Sequence, residues 1–275
     1  MPTARELDEQ GERALAAWQA TRSPESLDTA IRLFRSAYAI PQPDATERAR
    51  CLENLMSALS ASAQNGSDAA TSELIDVVSE LLPAVGDDPV LLGTRGYNLM
   101  LRYVRHGSLE DLNTAVVDFK KAVAATPAGS IELYRRLLNV SWASEARFDR
   151  LHGRGEQYMV IQQDGVERWR GPRDLVHPIL LLETALGPDN ELPPAPPGVL
   201  PQIKRNLGNL LSRYARYVEQ RPVSARQADM RRAVVLLQEA MAETAPGTFD
   251  HDSAAQSLVA AVQQGRGAGL LPDTP

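Results

Sequence analysis

Apolar side chains recur along this chain at one spacing, at +0, +4, +7 and +11 from an anchor. The five instances are Leu27-Ile31-Phe34-Tyr38, Thr71-Ile75-Val78-Leu82, Leu112-Val116-Phe119-Val123, Leu175-Ile179-Leu182-Leu186 and Met230-Val234-Leu237-Met241. Residues so spaced share one face of an α-helix. A proline follows each stripe, at Pro41, Pro83, Pro127, Pro188 and Pro246, which predicts a stop behind each helix. The anchors are 44, 41, 63 and 55 residues apart. The unit is therefore about 42 residues, with about 21 extra residues in one interval and about 13 in another.

Each striped helix, B, needs a partner A before it to complete a pair. The partners are predicted at 5–21, 46–64, 89–106, 131–151 and 202–221. Gly107 stands where a C′ glycine would end the third A helix, and Ser108 with Asp111 resembles a capping box for the B helix that follows. Ser23-Pro24 opens the first B helix in the same way, since proline suits the first helical turn. Small residues between the stripes, Ala30, Ala37, Ala115, Ala122, Ala185, Ala233 and Ala240, allow neighbouring helices to approach closely. Asp252-Ser253 opens a last helix to about Gln264, predicted to cap the final apolar face, and 265–275 reads as a flexible tail. The expected domain is 1–264, undivided, because a repeat array extends one continuous core.

Two inserts break the period. Within 153–173, Asp164-Gly165 separates Tyr158–Gln163 from Val166–Arg170 and predicts a β-hairpin, since a type I′ turn requires positive φ at both central residues. Such a turn places Gln163 opposite Val166 and Val160 opposite Trp169, with Tyr158, Val160 and Trp169 on one side. A two-stranded hairpin is marginal alone, so it must lean on the helices or on a partner. The second insert, 187–201, is proline-rich. It reads as a stiff spacer, and the absence of accompanying basic residues argues against an SH3-type ligand.

Residues Arg102 to Pro127, Asn206-Leu-Gly-Asn-Leu-Leu with Arg213-Tyr214, and Asn139-Val-Ser-Trp with Arg147-Phe148 resemble the tetratricopeptide-type repeats that accompany caspase-like CHAT peptidase domains in actinobacterial proteins. Weaker traces of the pattern span most of 12–250. The resemblance implies a right-handed superhelix of helix pairs whose A helices line a groove for protein partners. The expected fold is an all-α, tetratricopeptide-like helical-repeat solenoid. It has about five helix pairs, a capping helix and the inserted hairpin.

Net charge of −6 argues against nucleic acid as a general partner, because affinity for phosphates comes from summed positive charge. Only Lys120, Lys121 and Lys204 among 29 basic residues are lysine, a bias that a GC-rich genome produces. One cysteine, Cys51, leaves no intramolecular disulfide framework. No run approaches the ~18 apolar residues of a membrane span, and the amino terminus lacks an apolar signal core. A cytoplasmic protein without a membrane partner is expected.

Catalytic signals are weak. Cys51 precedes Leu52 and Leu55 in a predicted helix and reads as a small hydrophobe. His106, His152, His177 and His251 lack metal-ligand spacing. Gly265, Gly267 and Gly269 lack the strand and helix that a phosphate loop needs. No catalytic residue, metal or cofactor is assigned. An enzyme using Cys51 or a histidine near the hairpin stays as an opposing reading.

Charge distribution says more. Region 89–107 carries three basic and no acidic residues, and 202–221 carries five basic and one acidic. By contrast, 66–88 carries six acidic and 174–192 four, with no basic residue in either. A groove lined by the later A helices should therefore attract an acidic protein or peptide, unless the arginines pair with neighbouring carboxylates. The candidate contacts are Arg95, Asn98, Arg102, Arg135, Asn139, Arg205, Asn209 and Arg213, with Tyr158 and Trp169 on the hairpin. The function predicted is a non-catalytic interaction scaffold, with a regulatory sensor subunit of a peptidase or NTPase effector system as the alternative.

Overall fold

The structure, a computed structural model, describes residues 2–41, 44–151, 158–163, 166–187, 193 and 195–272, and for 158–163 and 166–170 the backbone alone. Within these residues the chain is an all-α helical-repeat fold carrying one β-hairpin. The A helices are α1 (Ala4–Thr21), α3 (Ala45–Gln64), α5 (Pro89–His106), α7 (Glu132–Leu151) and α9 (Val199–Tyr217). The B helices are α2 (Pro24–Ala39), α4 (Asp68–Val85), α6 (Leu109–Ala125), α8 (Arg173–Leu186) and α10 (Val223–Ala242), followed by α11 (Phe249–Gly267). Strands β1 (Tyr158–Gln163) and β2 (Val166–Pro172) lie between α7 and α8.

Contacts divide the chain into two compact units, Met1–Gly86 with Tyr97–Ser108, and Asp87–Gly96 with Leu109–Pro275. In the first, α1 packs on α2 and α3, and α3 on α4. Asp8 of α1 is fully buried, held by Arg50 Nε at 3.0 Å and Asn54 Nδ2 at 3.1 Å from α3. In the second, α6 through α11 pack in sequence, and α9 also meets α7 and α11. Its core joins Tyr134 and Leu137 of α7, Leu175 and Ile179 of α8, and Leu207 and Tyr214 of α9.

The stripes form the core as their spacing predicts. Positions +0, +4 and +7 are buried in every B helix except for Val234, which is half-buried like the five +11 residues. Each of the seven interstitial alanines is also buried. Ser23 caps α2 with Pro24 in its first turn, and Gly107 ends α5 at φ 73°.

Four boundaries differ from expectation. Pro83 does not stop α4, which runs on to Val85 and ends at Gly86, φ 75°. Helix α9 starts at Val199, behind Gly198 at φ 81°, so the second insert is partly helical. It ends at Tyr217 because Arg226 takes up its last carbonyls, donating to Ala215 O at 2.7 Å and Arg216 O at 3.2 Å. Helix α11 begins after Thr248, whose hydroxyl accepts from His251 N, rather than at Asp252-Ser253.

The expected tail is not one as far as Leu271. Gly265 and Gly267 belong to α11, and Leu270, 2% exposed, packs with Ala215 and Met230. Close approach explains the glycine, since a Cβ at Gly265 would lie 2.7 Å from Leu271.

The hairpin pairs antiparallel with Gln163 opposite Val166 as predicted, but Trp169 stands opposite Ile161, not Val160. An irregularity between Ile161 and Gln162 shifts the register by one, and a one-residue shift moves a side chain to the other face. The grouping of Tyr158, Val160 and Trp169 on one side rested on the unshifted pairing. The turn residues Asp164 and Gly165 lie outside the described residues. The hairpin base leans on helices, because a Cβ at Gly171 would come 2.9 Å from Tyr214 and 3.2 Å from Val218.

Candidate functional site

Most of the arginines selected from sequence are already paired. Arg95 grips Asp118 with Nε and Nη2 at 2.7 and 2.8 Å, and Asp118 is 1% exposed. Arg205 Nη1 donates to Asp250 of α11 at 3.2 Å. Arg213 spans two carboxylates of α7, Glu145 at 2.7 Å and Asp149. Arg135 pairs with Glu132 on the exposed face of α7. Arg102 is half-buried, and Asn98 is buried at 3% exposure. Asn98 is thus core rather than contact surface. The side chains of Tyr158 and Trp169 lie outside the described residues.

The other basic residues of 202–221 largely repeat this pattern. Lys204 meets Glu239 at 2.8 Å and Glu243 at 2.5 Å, and Arg221 meets Asp229. Among the described residues, Arg216 is the one base of 202–221 that makes no ion pair. Its Nε donates to Ser212 O at 3.3 Å and its guanidinium lies 5.4 Å from the Tyr217 ring. Burial pushes its pKa down from the ordinary arginine value, and neighbouring Arg213 adds to the effect.

Arg213 and Asn209 do come together, in a cavity of about 300 Å³ between α7, α9 and α11. Helix α9 contributes Asn209, Ser212, Arg213 and Arg216, spaced i, i+3, i+4 and i+7 on one face. Glu145 comes from α7, and Gln256, Ser257, Ala260, Ala261 and Gln264 from α11. Asn206 Nδ2 donates to Ser141 Oγ at 2.9 Å and ties α9 to α7 beside this wall. Burial raises the Glu145 pKa, with Arg213 opposing.

The lining carries unspent hydrogen-bonding capacity. The side chains of Asn209, Ser212, Gln256, Ser257 and Gln264 make no hydrogen bond among the described residues. Of the residues selected from sequence, Asn209 and Arg213 line this cavity; Arg216 and the α11 wall were not among them. Which carboxylates meet which arginines, and which face of α11 lies against α9, are decided by packing across helices, and periodicity does not carry that.

Other chemistry is sparse. Cys51 is fully buried in α3. Among the described residues no group of three His, Cys, Asp or Glu side chains could hold a metal ion, and no helix is long and apolar enough to cross a membrane.

Stacked helix pairs at a recurring period define an all-α helical-repeat protein. No protein-family model and no curated protein matches the sequence. Among solved structures, a thermophilic TPR protein from Thermus thermophilus is similar at 13% identity and TM-score 0.47, over 90% of this chain and 99% of that one. A de novo designed helical repeat protein is similar at 13% identity and TM-score 0.24, over 97% of this chain and 94% of that one.

Proposed function

We propose that this protein is a non-catalytic interaction scaffold that holds a protein or peptide on the A-helix face of its C-terminal repeats, in the cytoplasm. The observation that carries the reading is the cavity between α7, α9 and α11, where one face of an A helix presents polar groups that the chain itself does not use. A partner would complete the hydrogen bonding of Ser212, Asn209 and Ser257, which are buried or half-buried, whereas Gln256 and Gln264 are exposed to water. The charge argument for an acidic partner now rests on Arg216, because the candidates Arg95, Arg135, Arg205 and Arg213 meet carboxylates of this chain. With its bases so paired and a net charge of −6, the chain offers little to nucleic acid.

A regulatory role beside a peptidase or NTPase effector is the second reading. It is favoured by the likeness of 102–127 to repeats that accompany CHAT peptidase domains and by a cavity of small-molecule size.

The test uses the purified full chain as bait in extract of its host, with Ala260→Trp as the comparison. Ala260 is half-buried on α11, so an indole there fills the cavity from its edge. Capture of a partner by the natural chain and its loss in the variant, at an unchanged unfolding midpoint, supports the reading. Capture that survives Ala260→Trp places the interface elsewhere.

A further inference from the structure

We infer that the cavity between α7, α9 and α11 binds one free α-amino acid as its zwitterion, with Arg216 facing the carboxylate and Glu145 facing the ammonium. The inference rests on the reading of this cavity as a recognition site and names its ligand.

Size comes first. A volume of about 300 Å³ lies at the lower end of small-ligand cavities, and it accommodates one residue-sized molecule. Charge comes next. Arg213 is shared by two carboxylates, Glu145 at 2.7 Å and Asp149, so it has little to offer an anion and the trio keeps one net negative charge. Arg216 sits on the same wall, half-buried, with its Nε on Ser212 O and no carboxylate partner among the described residues. Burial disfavours this guanidinium while Tyr217 and Asp149 partly oppose that effect, and an incoming carboxylate would add a directly hydrogen-bonded counter-ion.

A simple monoanion would satisfy Arg216 but would meet Glu145 across the same cavity. Glu145 is already held against its preference for water, and burial raises its pKa. An added negative charge would raise it further, whereas an ammonium group would stabilise the carboxylate. One cationic and one anionic wall therefore select a molecule carrying both charges. The side chain of that molecule would lie among Asn209, Ser257, Gln256 and Gln264, whose amides and hydroxyls both donate and accept. Gln256 and Gln264 are exposed and keep their water, but an apolar side chain would desolvate the half-buried Asn209 and Ser257 without replacing their hydrogen bonds, which favours a polar amino acid over an aliphatic one.

The experiment screens free amino acids at millimolar concentration for a rise in the unfolding midpoint of the full chain. The strongest is then titrated by calorimetry beside its α-amide and its N-acetyl derivative. A polar amino acid is expected to bind, with affinity at least about tenfold weaker when either charge is removed. Arg216→Gln should weaken it by a similar factor, and Ala260→Trp should abolish it with the midpoint of the unliganded protein retained. Absence of any midpoint shift, or binding indifferent to amidation and to Ala260→Trp, overturns the inference.

Partner capture separates this result from the scaffold reading. If no amino acid binds but Ala260→Trp abolishes partner capture, the cavity receives a side chain of the partner and the zwitterion assignment is wrong. If amino acids bind but capture is indifferent to Ala260→Trp, the ligand assignment stands and the scaffold reading loses this site.

Discussion

Gly96 of α5 lies directly against the ring of Phe119 of α6, so close that a Cβ on Gly96 would stand 2.8 Å from Phe119 Cε1. The same relation joins Gly11 to Phe34 at 2.5 Å and Gly208 to Leu237 at 2.8 Å. In each case an A-helix glycine receives the +7 residue of its own B stripe. Helical glycine is intrinsically costly, and here it makes room for a large side chain between two helices. Phe119→Ala should cost about 3–5 kcal/mol. Gly96→Ala should cost about 1–3 kcal/mol through overpacking, partly offset by better helix propensity. Urea denaturation checks both, and Phe119→Leu should reduce the penalty of Gly96→Ala. Equal penalties in both backgrounds would show that the ring and the glycine are not coupled.

Asp118 and Arg95 form a largely enclosed pair, with side-chain exposures of 2% and 20%. Asp118→Asn removes the counter-ion and leaves the guanidinium desolvated, at an expected cost of about 3 kcal/mol. The double substitution Arg95→Met with Asp118→Leu should recover most of that loss. A double variant as unstable as the single one would mean that shape, rather than charge, dominates at this contact.

His177 gives α8 a pH dependence. Burial lowers its pKa from 6.5 to about 4, and the positive charges of Lys120 and Arg173 add to the shift while Asp174 opposes it. Below pH 6.5 the unfolded chain takes up a proton that the folded chain refuses until about pH 4. Stability from this group is therefore complete above pH 6.5 and is lost as pH falls through that window. The full shift would correspond to about 3 kcal/mol, and solvent screening of the partly exposed ring reduces this to about 1–2 kcal/mol. Replacing His177 by Phe should flatten the stability profile between these two values, as followed by denaturation at a series of pH values. An unchanged slope would assign the acid sensitivity to the carboxylates instead.

Leu270 anchors the end of the described chain against Ala215 and Met230. Leu270→Ala should cost about 2–4 kcal/mol, the range for a buried leucine. Amide exchange should show faster opening of α11 and of the α10 segment around Met230. Protection that is unaltered in both would mean that residues beyond Gly267 contribute nothing to packing.

The helices, their faces and their order were legible in sequence because they depend on local spacing. Four residues from Leu112 to Val116 subtend one turn of helix wherever they occur, and Ser23-Pro24 caps a helix through contacts with its immediate neighbours. Even the hairpin followed from one dipeptide, though its register did not, because the irregularity at Ile161/Gln162 depends on the whole ladder. What periodicity could not supply was the pairing of charges between helices. Arg213 and Arg216 are three residues apart on one helix, yet Arg213 meets two carboxylates of α7 and Arg216 meets none among the described residues. The same holds for Gly96, which sits inside the predicted helix 89–106 and becomes a packing contact only when Phe119 arrives against it. Sequence determined the repeating helices, because backbone hydrogen bonds and apolar periodicity act within one turn. The tertiary structure alone decided which polar groups stay unspent, because Coulomb and hydrogen-bond partners are chosen by distance in space.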